Sequence, residues 1–93
     1  MIRHTDWSDD YKNLDLKGGK INFIIEDDED MIEIFYDDGM LIDIGKPTVC
    51  DYYCIIVVSS NDAKGWNNPI AQIDVQHKKD LVSKIQDTID KSR

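Results

Sequence analysis

Residues 21–44 read INFIIEDDEDMIEIFYDDGMLIDI, three short apolar runs separated by an acidic cluster and an Asp-Gly turn. Ile21, Phe23 and Ile25 alternate with Asn22, as a strand with one buried face requires. Five adjacent carboxylates, Glu26, Asp27, Asp28, Glu29 and Asp30, cannot share a strand without repulsion and are expected in a solvated hairpin loop. Met31 to Tyr36 forms the second strand, with Met31, Glu33 and Phe35 on one face and Ile32, Ile34 and Tyr36 on the other. Asp37-Asp38-Gly39 supplies the next turn, because Asp-Gly accepts the positive φ of a two-residue or bulged hairpin. Met40 to Ile44 then returns antiparallel, with Met40, Ile42 and Ile44 on one face and Leu41 and Asp43 on the other.

Upstream, Lys17-Gly18-Gly19-Lys20 precedes a strand instead of opening a helix, so the glycine pair reads as a turn and not as a phosphate loop. Trp7, Tyr11 and Leu14 recur at helical spacing and predict a short helix over residues 5–14 whose stripe packs on the sheet edge. Downstream, Gly45-Lys46-Pro47 stops the third strand. Asp51 to Ser59, DYYCIIVVS, is apolar on both faces and belongs inside the sheet. Ser59 to Asn68 is a polar loop in which Trp66 either plugs the core or stands out as an interface anchor. Ile70, Gln72 and Asp74 alternate with Ala71, Ile73 and Val75 in a last strand. Leu81, Val82, Ile85 and Ile89 fall on one face of a helix from about His77 to Lys91. The expectation is an α+β fold, a mainly antiparallel sheet of about five strands with a C-terminal amphipathic helix on one face, forming a single domain over residues 1–93.

The charge is uneven along the chain. Against a net charge of -8, residues 21–45 hold nine acids and no base. A single-sign surface attracts basic partners and repels nucleic acid and anionic lipid, so neither is an expected ligand. No apolar run reaches the roughly eighteen residues of a membrane span, and the N-terminus has no secretory h-region, which makes the cytoplasm the expected compartment. Cys50 and Cys54 lie about 13 Å apart along one strand, too far for a disulfide. With His4 and His77 they make no zinc spacing. Residues 26–30 lack the Gly that an EF-type calcium loop needs at its sixth position, where Met31 stands. Asp37 and Asp38 sit in a turn without an apolar pocket to raise a pKa, and neither histidine adjoins a nucleophile motif. No cofactor, metal or catalytic residue is therefore expected.

The run DDGMLIDIG followed by a proline, an apolar strand, GWNNPI and an amphipathic C-terminal helix resembles small immunity proteins of bacterial polymorphic toxin and contact-dependent growth inhibition systems. The resemblance covers roughly residues 37–90 and rests on strand and turn features. It implies a non-enzymatic cytoplasmic protein that binds one cognate toxin domain, often a nuclease, and blocks its active site. Charge agrees with it, since a nuclease presents a basic cleft that an acidic surface can occupy. The expected carriers are Glu26, Asp27, Asp28, Glu29, Asp30, Glu33, Asp37 and Asp38, with Tyr36 or Trp66 as aromatic anchors. The alternatives are a phage-type inhibitor that mimics DNA and a small metal-responsive domain using residues 26–30.

Overall fold

The computed structural model describes residues 9–25, 30–49 and 51–93. Five strands, β1 (Lys20–Ile24), β2 (Ile32–Phe35), β3 (Leu41–Gly45), β4 (Tyr53–Val58) and β5 (Ala71–Val75), lie in the order of the chain in one sheet. Every neighbouring pair is antiparallel. A one-turn helix, α1 (Asp9–Lys12), precedes the sheet and a short helix, α2 (Ala63–Asn67), interrupts the β4–β5 connection. After β5 a 3-10 turn at Lys78–Asp80 leads into α3 (Leu81–Ser92).

The alternation read from the sequence assigns the faces. Ile32 and Ile34 of β2, Ile42 and Ile44 of β3, Tyr53, Ile55 and Val57 of β4 and Val75 of β5 join one buried cluster with Leu81, Ile85 and Ile89 of α3. Tyr11 and Leu14, at and just beyond α1, complete that cluster, as their helical spacing suggested; Trp7 and His4 lie outside the described residues. Ile85 and Ile89 have no exposed surface. Burying two such side chains contributes roughly 1.5–3 kcal/mol each relative to leaving them in water, and this is what docks α3.

Several expectations need correction. Met31, expected on the face of Glu33 and Phe35, is fully buried in the α3-side cluster beside Ile32, its N–H donating to the Ile44 carbonyl at 2.8 Å. Strict alternation through Ile25 fails, because the β1–β2 register shifts between Ile21 and Phe23. Ile21 pairs with Ile34 and Ile24 with Ile32 on the core side, while Phe23 stands opposite Glu33. Such a bulge inserts one residue and reverses the parity after it, which leaves Ile25 46% exposed. The stretch 59–68 is not a featureless loop either. Asp62 accepts a hydrogen bond from the Gly65 N–H at 2.8 Å and caps α2, so an aspartate two residues after Ser60 carried a helix-start signal that the polar composition masked.

The β2–β3 turn follows its sequence closely. Gly39 adopts φ +95, Tyr36 N–H donates to the Met40 carbonyl at 3.0 Å, and Met40 N–H donates to Asp38 Oδ1 at 3.1 Å. The hydrogen-bonded pairing of Tyr36 with Met40 fixes the ladder beyond it. By alternation Ile34/Ile42 and Ile32/Ile44 are hydrogen-bonded pairs, and Phe35/Leu41 and Glu33/Asp43 are the intervening pairs whose side chains approach most closely.

Candidate functional site

α3 covers one face of the sheet, and among the described residues no helix of comparable length covers the other. On that second face the rows run across the strands as Lys20, Phe35, Leu41 and Val58, then Phe23, Glu33, Asp43, Ile56 and Gln72, then Gly45, Cys54 and Asp74. Leu41 and Val58 are buried at the end nearest the β4–α2 connection, whereas Phe35 is 38% exposed. Asn61 from that connection, with Asn22, Glu33, Phe35 and Leu41, bounds a trough of about 370 Å³ that opens on this face.

Electrostatics single out the middle row. Glu33 and Asp43 stand directly opposite each other, an arrangement that destabilises a sheet when the charges are alike. Burial pushes the Asp43 carboxyl up to about 6, with the charges of Asp30 and Glu33 adding to the effect. Glu33 accepts one hydrogen bond, from Asn22 Nδ2 at 3.1 Å. Among the described residues neither carboxylate is in an ion pair. No base lies in that row, and Lys20 stands one row away opposite Phe35.

The residues expected at an interface separate into three groups. Glu26, Asp27, Asp28 and Glu29 lie outside the described residues. Asp30, Glu33 and Asp37 are accessible or partly so, Asp30 just ahead of β2 and Asp37 in the β2–β3 turn. Asp38 is exposed but engaged: Arg93 Nη1 donates to its Oδ2 at 2.8 Å, and that bond, with the Met40 N–H, holds the carboxyl below its usual range.

Tyr36 is the clearest correction. It is 4% exposed and belongs to the α3-side core, with the Arg93 guanidinium 4.2 Å from its ring centroid. Gly19 lies so close that a Cβ there would meet the ring at 2.7 Å. Burial raises the Tyr36 phenol pKa, and its hydroxyl has no hydrogen-bond partner among the described residues. Its ring belongs to the core, and Tyr36 reaches the partner face only as part of the trough lining. The even position of Tyr36 on the Ile32–Ile34 face already carried that signal. Trp66 lies between its two readings, 36% exposed on α2 with its indole N–H donating to Asn61 Oδ1 at 2.9 Å, which ties it to the wall of the trough.

Sequence reasoning missed Asp43, Phe35 and Asn61 as members of one site. Asp43 was legible, being the lone charge inside LIDI and placed opposite Glu33 once the turn is centred on Asp38. Asn61 was not, because only the path of the β4–α2 connection brings it there. Cys54 is a buried thiol whose Sγ donates to Asp74 Oδ1 at 3.2 Å; Cys50 lies outside the described residues. Among the described residues no three His, Cys, Asp or Glu side chains converge to hold a metal, and no helix is long and apolar enough to cross a membrane. No protein-family model, curated protein or solved structure matches the chain.

Proposed function

We propose that this protein is a cytoplasmic immunity-type inhibitor, a non-enzymatic module that binds the basic surface of one cognate toxin domain of nuclease type and occludes it. The observation that carries the reading is the sheet face that α3 leaves open, with two carboxylates at its middle that make no ion pair among the described residues, in a chain whose acids are concentrated between residues 21 and 45. A desolvated like-charge pair is a poor solution for stability alone, and positions that break a local rule without compensation mark functional surfaces. A basic cleft is the complementary partner, and its approach is accelerated by the field of the acidic half. The resemblance to immunity proteins of toxin systems supports the same assignment.

Co-expression tests it. Cells producing the toxin domain encoded beside this gene should survive when the protein is present and die when it is absent, and the purified pair should form a complex whose association slows as salt rises. Absence of protection against that neighbouring toxin, together with no complex by gel filtration, would sink the reading. A phage operon around the gene would favour the DNA-mimic alternative.

A further inference from the structure

We propose that the trough between Phe35 and Leu41 receives one basic side chain, an arginine or a lysine, of the partner protein, with its cationic head on the Glu33–Asp43 pair. The inference rests on the partner-binding reading above and names the part of the surface that performs it.

The occupant follows from the chemistry of the walls. Glu33 lines the trough and Asp43 stands opposite it at a closely spaced pair of the ladder. Both face the side of the sheet that α3 leaves open, and among the described residues the one polar side-chain contact to either is the Asn22 amide on Glu33. A single cation between them converts a repulsive cross-strand pair into a bridged one. Phe35 and Leu41 supply an apolar bed for the methylene stem of a long basic side chain, which buries its stem while its head stays polar. The exposed Phe35 ring also suits a guanidinium lying over its face. Asn22 and Asn61 add amide oxygens at the margins that accept from the remaining N–H groups. A divalent cation fits less well, because it needs six or more oxygen ligands and among the described residues no third carboxylate converges here with the two.

The contrast with the second groove supports the choice. Between β5 and α3, Ala71 and Ile73 face Lys84, Asp87 and Lys91, so charges of both signs already share that site. The trough on the open face instead carries Glu33 as the charge in its wall, which makes no ion pair among the described residues.

The test uses the intact protein and an oligoarginine peptide as the probe, followed by amide chemical shifts at low ionic strength, beside calcium as a second probe. Peptide shifts should centre on the amides of residues 33–35 and 41–43, and Glu33→Gln with Asp43→Asn should weaken binding by about tenfold or more. Phe35→Ala should weaken it as well while leaving the charges in place. Glu33→Gln keeps an oxygen for Asn22, and Asp43→Asn removes a repulsion, so both variants should fold, which their amide spectra report directly. Shifts confined to residues 26–30 and 37–38, or peptide affinity unchanged in the double variant, would overturn the proposal. So would calcium giving the same shifts as the peptide at lower concentration. If the neighbouring toxin is bound as tightly by the double variant as by the wild type, the trough is refuted and the inhibitor reading survives. If the peptide binds as described and no toxin is bound, the inhibitor reading fails alone.

Discussion

At Asp43 stability and binding pull in opposite directions. Its folded-state value of about 6 lies above the 3.8 of an unperturbed aspartate, so between those values the folded protein retains a proton that the unfolded chain has released. The group's stabilising contribution is therefore complete below about pH 4, declines as pH rises through 6, and is gone at pH 7. The full shift corresponds to about 3 kcal/mol at 1.36 kcal/mol per unit. Solvent still reaches the carboxyl and screens it, which reduces the expected effect to about 1–2 kcal/mol. Glu33 from β2 and Asp30 ahead of it are the charged groups that face Asp43, and β4 presents the apolar Ile56. Asp43→Asn should stabilise the protein by that amount at pH 7 and flatten the stability profile between pH 4 and 6. Urea unfolding at both ends of that window measures it, and an unchanged slope would show that Asp43 is solvated like any surface carboxylate. The sequence made Asp43 visible as a charge in an apolar strand, but its desolvation depends on neighbours brought by β2 and β4, which no local pattern specifies.

At the scale of elements, the parts that were legible are those whose period and punctuation agree. Alternation in β2 through β5 and the i, i+4 spacing of Leu81, Ile85 and Ile89 assign the core that the structure buries, except for Met31, which alternation places with Glu33 and Phe35. Ile85→Ala should therefore cost about 2–4 kcal/mol, while Lys84→Ala, one residue away on the exposed side, should change little in the same urea titration. The parts that were not legible depend on single backbone contacts. The β1 bulge leaves no trace in INFII, where Phe23 and Ile24 are equally apolar. α2 depends on Gly65, which is buried against Ser60: a Cβ there would collide with the Ser60 carbonyl oxygen. Gly65→Ala should destabilise by about 1–3 kcal/mol through overpacking. Because Asn61 and Trp66 share a hydrogen bond in this segment, it should also broaden the amide signals around the trough. A variant as stable as wild type would mean that the connection shifts freely and does not form a fixed wall.

Across the whole molecule the charges are polarised: residues 21–45, which include β2 and β3, hold nine acids and no base, and residues 77–93, which include α3, hold five bases against three acids. That asymmetry creates a directional field, and its consequences for binding divide into steering and docking. Steering acts at a distance and depends on total charge, so replacing Glu26, Asp27, Asp28 and Glu29 by amides should slow association with the neighbouring toxin while barely changing dissociation. Docking depends on contact, so Glu33→Gln with Asp43→Asn should mainly accelerate dissociation. Asp38 is left unaltered in both sets because its bond to Arg93 is internal. Salt separates the two effects further. Raising it to about 0.1 M shortens the reach of exposed charges to about 10 Å, so the wild-type association rate should fall toward that of the 26–29 variant, and the two should converge at high salt. The 33/43 variant should keep most of the wild-type salt dependence, since its loss lies in a desolvated contact that screening reaches poorly. Surface-plasmon kinetics over a salt series distinguish these outcomes. If instead the 26–29 variant loses the complex through faster dissociation and the 33/43 variant binds as wild type does, the 26–29 segment is the docking surface and the sheet face contributes only its field.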